Sequence, residues 1–153
     1  MPEFLDLHGR TNKAVRAIAD ARLRRHGLHL GQDHLLALLW EQDGRTPGEL
    51  AAALDVTTPT IVKGATRMAA AGLLTRRRDQ QDNRLVRLWL TDAGRALRKP
   101  VEEDRRRLEA ELTAGLGDGE REQLLRLLAK VHQAAAELLA GGEGRFAEVG
   151  RGA

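Results

Sequence analysis

The sequence predicts a mainly α-helical chain that carries one small β-hairpin. Three observations predict it. Apolar residues recur at steps of three and four over most of the 153 residues, the spacing of one helix face. Between Leu85 and Leu90 the period changes to two, with Val86, Leu88 and Leu90 alternating against Leu85, Arg87 and Trp89. Two helix starts of the Thr-Pro type, at Thr46-Pro47 and Thr58-Pro59, stand close together ahead of that alternation.

Met1 to Arg25 reads as mostly one helix. Phe4, Leu7, Thr11, Ala14, Ile18 and Ala21 form a narrow stripe suited to packing on another helix. Arg24-Arg25-His26-Gly27 breaks it. The next helix, roughly Gly31 to Gln42, carries Leu35, Leu36, Leu38, Leu39 and Trp40, so burial on nearly all sides is expected, and Gly44 stops it. Thr46 caps the first short helix, Pro47 occupies its first position without loss of a hydrogen bond, and Glu49 falls three residues after the cap. Leu50, Ala53 and Leu54 make its apolar face. The turn Asp55-Val56-Thr57 leads to a second start with Thr58 as cap and Pro59 first in the helix, so the pair reads as a helix-turn-helix. In this second helix Ile61, Ala65, Met68 and Gly72 fall on the core side, with Thr60, Lys63, Gly64 and Arg67 opposite, and Gly72 ends it.

Leu73 to Arg78 and Leu85 to Leu90 pair around the polar tip Asp79 to Asn83. From Arg76 to Arg87 there are five Arg against two Asp, a local surplus equal to the formal charge of +3 on the whole chain. A basic hairpin beside a helix-turn-helix is a winged helix. Thr91 then caps a long helix to about Leu116, striped by Leu97, Val101, Leu108, Leu112 and Leu116, with a bend or broken ladder expected at Pro100. After a turn at Gly115 to Gly119, a last helix from about Asp118 to Ala140 shows Leu124, Leu128, Val131, Ala135 and Leu138 at heptad-like spacing. Residues 141–153 turn to Gly, Glu and Arg and read as a disordered tail.

The order TPGELAAAL, PTIVKGATRMAAAGLLTRR, DQQDNRLVRLWLTDAGRAL resembles the winged helix of the MarR (multiple antibiotic resistance) regulators. The wing pattern of that family, Asp-x-x-Asp-x-Arg, a strand, then Leu-Thr-x-x-Gly, is met by Asp79, Asp82, Arg84, Leu90, Thr91 and Gly94. Asn83 departs from it, since many relatives carry a basic residue there. The resemblance implies a DNA-binding transcriptional regulator, a repressor, acting as a homodimer through interlocked terminal helices. It also implies a site for a small aromatic or phenolic effector between those helices and the winged helix. His8, Leu36, Trp40 and the start of the Thr91 helix are the candidates for that site, with Trp40 as plain core the simpler alternative.

On this reading residues 1–30 form a dimerisation helix, 31–92 the DNA-binding winged helix and 93–140 further dimerisation helices. Thr57, Thr58, Pro59, Thr60, Lys63 and Arg67 are the recognition-helix candidates, and Arg76, Arg77, Arg78, Asp82 and Arg84 those of the wing. Asp82 and Arg84, two apart on an extended segment, are expected to point to one side, the carboxylate holding the guanidinium in reach of a minor groove. Phe4, Leu7, Ile18, Leu124, Leu128, Val131 and Leu138 are the dimerisation candidates. The alternative function is a winged helix that binds protein, against which the basic hairpin stands.

Other classes find little support. The chain has no Cys, hence no disulfide and no thiolate metal site. His26, His29 and His34 cluster, and some members of the resembled family bind zinc. With Asp33 the nearby carboxylate and no Cys, they read as loop histidines, and neither a metal nor a cofactor is expected. No nucleophile-base constellation, phosphate loop or carboxylate pair suggests an enzyme. The N-terminus lacks the apolar run of a signal peptide and no stretch approaches the ~20 residues of a membrane span, so a cytoplasmic protein without membrane partners is expected.

Overall fold

The computed structural model describes residues 3–142, and among them it forms seven helices and one hairpin. The helices are α1 (Phe4–Arg24), α2 (Gln32–Glu41), α3 (Pro47–Leu54), α4 (Thr58–Ala70), α5 (Asp92–Ala96), α6 (Arg98–Leu112) and α7 (Asp118–Ala140). Strands β1 (Leu74–Arg78) and β2 (Val86–Leu90) lie between α4 and α5 and pair antiparallel, Leu74 opposite Leu90 and Arg78 opposite Val86. The chain divides into two compact units, one up to Leu108 and one from Glu109 onward. The expected tail, from residue 143 on, lies outside the described residues.

In the first unit a single core gathers apolar side chains from α1 to α4, both strands and α6, and Leu28, Leu36, Leu50 and Leu88 retain no exposed surface. Each such side chain contributes about 1.5–3 kcal/mol relative to an exposed one. In α2 burial is less complete than its composition suggests. Leu35, Leu36 and Leu39 are buried, while Leu38 and Trp40 are half-buried against the core. In α3 the buried pair is Leu50 and Ala51, with Ala53 exposed. Residues 51 and 53 both flank the line through Leu50 and Leu54, so spacing alone leaves them nearly equivalent; docking on the core chooses Ala51.

Past the hairpin the expected long helix is two helices. Pro100 carries no N–H for the carbonyl of Ala96, and the ladder is interrupted at Leu97, between α5 and α6. Val101 is buried just beyond the break, whereas Leu112 and Leu116 are exposed. The apolar stripe of α1 is also exposed: Phe4 keeps 50% of its surface, Leu7 65% and Ile18 39%, and Leu23 alone is buried in that helix. In the second unit α7 buries no residue, and its Leu124, Leu128, Val131 and Leu138 all face solvent.

Candidate nucleic-acid interface

The helix-turn-helix is built by local hydrogen bonds. The Thr46 side chain, on extended backbone, accepts from the Glu49 N–H at 3.2 Å and starts α3 with Pro47 in its first turn. Asp55 ends α3 in the left-handed region at φ 54°, which aspartate tolerates better than most side chains, and the Val56 N–H reaches back to the Ala51 carbonyl at 3.0 Å. The start of α4 differs by one residue from the sequence expectation. Thr57 rather than Thr58 is the cap, because Thr57 is the last extended residue and its hydroxyl meets both the Thr60 N–H and the Thr60 hydroxyl. The Ile61 N–H, which a Thr58 cap would need, is bonded to the Thr57 carbonyl. Thr58 is therefore the first helical residue, and its hydroxyl is not used in capping.

The two faces of α4 are distinct. Ile61, Ala65 and Met68 are at most 3% exposed, and Thr58, Thr60, Lys63 and Arg67 lie on the solvent side. Gly72, expected on the core face, is instead exposed. With φ 79° it is the left-handed stop of α4, and the bonds from Leu73 N–H to Met68 and from Gly72 N–H to Ala69 close the helix end. Leu73 takes the buried position.

The wing carries its arginines in several states. Arg76 and Arg78 are exposed on β1, and Arg77 lies over the Trp89 ring with its guanidinium 5.5 Å from the centroid. At the tip the Asp82 carboxylate accepts from Arg84 Nε at 3.1 Å, from Arg84 Nη2 at 3.4 Å and from the Arg84 backbone N–H at 3.1 Å. The Arg84 side chain hydrogen bond, then its backbone N–H, hold the Asp82 carboxyl below the usual carboxylate range. The segment is not extended as expected. The Leu85 N–H returns to the Asp82 carbonyl at 3.0 Å, so a turn brings the pair together and leaves the Arg84 side chain 90% exposed.

The base of the wing explains the Leu-Thr-x-x-Gly pattern. Thr91 donates its hydroxyl to the Gly72 carbonyl at 2.6 Å while that oxygen accepts from the Gly94 N–H, which caps α5. A Cβ on Gly94 would collide with the Leu73 backbone carbonyl. The Trp40 indole N–H donates to the Gly94 carbonyl at 2.9 Å. Of the effector-site candidates, Leu36 is wholly buried, Trp40 is half-buried in this way, and His8 is exposed on α1, stacked on Phe4 at 5.5 Å. A cavity lined by Ala134, Glu137, Leu138 and Gly141 contains none of the three.

The histidine cluster disperses. His26 meets Asp104 of α6 at 2.6 Å, His29 lies 4.0 Å from Asp20, and His34 is exposed. The described residues contain no group of three or more His, Cys, Asp or Glu that could hold a metal ion, and no described helix is long and apolar enough to cross a membrane.

Three features were missed in the sequence. Arg45 forms a bridge with Leu88, whose N–H donates to the Arg45 carbonyl and whose carbonyl accepts from the Gly44 N–H. Gly44 does more than stop α2: it has φ 75°, and a Cβ there would lie 2.5 Å from the Trp89 ring. Asp43 accepts from the Leu90 N–H at 2.9 Å and lies 3.6 Å from Arg95. None of these has a local signature, since each joins residues more than forty positions apart.

A three-helix core with a capped helix-turn-helix and an arginine-bearing hairpin defines a winged-helix protein. The sequence model of the MarR family matches residues 28–86 of the chain. The chain is 36% identical over 76 residues to the HTH-type transcriptional regulator TtmR of Methylorubrum extorquens, a match covering 50% of this chain and 39% of that protein. It is 26% identical over 105 residues to the uncharacterized HTH-type transcriptional regulator YdgJ of Bacillus subtilis, covering 69% of this chain and 64% of that one. The chain thus spans less than two thirds of either relative. Among solved structures, the MepR–DNA complex of S. aureus superposes with a TM-score of 0.79 at 26% identity, over 88% of this chain and 99% of MepR.

Proposed function

We propose that the chain is a homodimeric, DNA-binding transcriptional repressor whose α4 enters the major groove while the wing reaches the flanking minor groove. The observation that carries this reading is the combination on one winged helix of the exposed α4 face, with Thr58, Lys63 and Arg67, and an exposed wing bearing Arg76, Arg78 and the Asp82-held Arg84. Cationic side chains neutralise phosphates and release counterions, and a short-chained helix face admits close approach to base edges. The DNA-bound state of MepR and the regulator names of TtmR and YdgJ support the same reading.

Residues 31–92 are the DNA-binding part on this reading, and 1–30 with 93–140 serve dimerisation. The exposed apolar residues Phe4, Leu7 and Ile18 of α1 and Leu124, Leu128, Val131 and Leu138 of α7 support it, because a second copy would take them out of water. A small aromatic or phenolic effector would act beside Trp40, breaking its bond to the Gly94 carbonyl and so loosening the base of the wing. An electrophoretic shift on the DNA upstream of the chain's own coding sequence tests the function. A complex that survives excess random duplex is expected; equal competition by random DNA contradicts sequence-specific regulation.

A further inference from the structure

We propose that Arg87, which faces no phosphate in the reading above, is the positioning residue that latches the wing to the helix-turn-helix. The proposal rests on the DNA-binding reading and deepens it. In the ladder Arg87 stands directly opposite Arg77, two like charges on one face of a two-stranded sheet, an arrangement that repels unless each charge has its own partner. Arg77 is placed over the Trp89 ring. Arg87 turns the other way and joins three separate segments. It donates Nη1 to the Gly44 carbonyl at 2.9 Å and Nη2 to Asp79 at the start of the wing tip at 3.5 Å, and it lies 4.0 Å from Glu49 in the first turn of α3.

The neighbours of this latch restrict the same joint. Gly44 is pressed against Trp89, and Asp79 also accepts from the Gln81 N–H while its own N–H bonds the Leu85 carbonyl. Asp79 thus shapes the tip with its backbone and one carboxylate oxygen, and ties it to Arg87 with the other. The Arg87 side chain is 31% exposed against 90% for Arg84, so the two arginines divide the work: Arg84 is presented, and Arg87 fixes where it is presented. A tip held before contact has less freedom to lose on binding.

Three variants on a fixed duplex decide this: Arg87→Gln, Asp79→Asn and the double variant, each titrated at several salt concentrations. Each single variant is expected to weaken binding about threefold to tenfold, the effect of ordering one or two side chains at contact. The double variant is expected to lose no more than Arg87→Gln alone, because that substitution already removes the Asp79 contact together with those to Gly44 and Glu49. The salt dependence should stay that of the wild type. If Arg87 bound a phosphate, Arg87→Gln would flatten the slope by about 0.9 and only that variant would weaken. Tighter binding by Asp79→Asn, as charge counting predicts, would overturn the latch. Amide hydrogen exchange without DNA completes the test. Exchange at Asp79 and Leu85 should accelerate in both single variants while that at Leu74 and Leu90 stays unchanged, and unaltered exchange at the tip overturns the latch whether or not the wild type binds the duplex. A wild type that binds no duplex, with accelerated exchange in the variants, would instead overturn the DNA reading and leave the latch standing.

Discussion

Leu36 in α2 and Leu128 in α7 are the same residue on helices of the same period, yet the first has no exposed surface and the second keeps 46%. The difference runs through both regions. The winged helix closes its own core, and its ends are tied by Thr46, Thr57, Thr91 and Gly72. Helices α1 and α7 are regular and, apart from the buried Leu23, carry their leucines outward. An amphipathic helix gains most of its stability from the burial of its apolar face rather than from propensity. What the contrast teaches is that part of the apolar patterning in this chain is addressed to its own fold and part to another surface, which the proposed dimer supplies.

The sharpest break of that comparison is a pair of truncations. Leu36→Ala should lower unfolding free energy by about 2–5 kcal/mol, the cost of a cavity in a closed core, whatever the protein concentration. Leu128→Ala in a dimer should instead lower the melting temperature in a concentration-dependent way and shift the sedimentation toward monomer. A Leu128→Ala protein with the mass and melting curve of the wild type would show that α7 meets no second copy.

Two glycines sharpen the picture within the winged helix. Gly94→Ala drives a methyl into the Leu73 carbonyl and should destabilise by about 1–3 kcal/mol, as overpacking does. Gly64, in the middle of α4, has nothing within 4 Å of the place a Cβ would occupy, so Gly64→Ala should stabilise by about 0.5–1 kcal/mol in denaturant melts. Opposite signs are the expectation, and loss of stability in both would mean that the exposed face of α4 is packed against something.

On that face, Lys63→Ala should relax sequence preference, a base-edge contact discriminating by about 1–3 kcal/mol, whereas Arg67→Ala should weaken all duplexes alike. Equal losses on specific and random DNA for Lys63→Ala contradict its base-reading role. At the wing, Arg84→Ala should weaken binding more than Asp82→Ala, and both should weaken it. Removal of an acidic group near phosphates favours tighter binding by charge alone. Loss of the three bonds that hold Arg84 favours weaker binding, and with the guanidinium chelated before contact the second effect wins. Tighter binding by Asp82→Ala, measured at one salt concentration, would exclude the orienting role.

The smallest effect is a pH dependence. The His26 hydrogen bond, working against partial burial, holds the Asp104 carboxyl below its ordinary 3.8. A depressed carboxyl pKa adds stability that is present above the ordinary value and lost as pH falls through the folded one. Acid melts of the wild type below about pH 4 should therefore fall more steeply than those of Asp104→Asn. Parallel acid limbs would show that the contact between the end of α1 and α6 adds nothing to stability.

How much of this was legible follows from the range of each interaction. Thr46, Pro47 and Glu49 act within three residues, and the cap they predict is present. The alternation from Val86 to Leu90 and the heptad-like run of α7 are equally local. The second cap slipped because Thr57 and Thr58 carry the same hydroxyl ahead of Pro59, and only the backbone dihedral separates them. Pro100 signalled a break, but the break falls at Leu97, next to Ala96, whose carbonyl lacks the Pro100 N–H. The clasp of Arg87 on Gly44, the Trp89 ring over that glycine and the bridge from Arg45 to Leu88 had no signature at all, since tertiary packing alone brings them together.

Hydroxyl-radical footprinting on the specific duplex, with the stoichiometry of the complex measured in parallel, tests most directly whether the outward leucines and the basic winged helix belong to one device. Two chains protecting a pseudo-palindrome, with half-sites about 10 base pairs apart and wing protection in the flanking minor grooves, is the predicted result. One chain protecting a single short asymmetric site would contradict it.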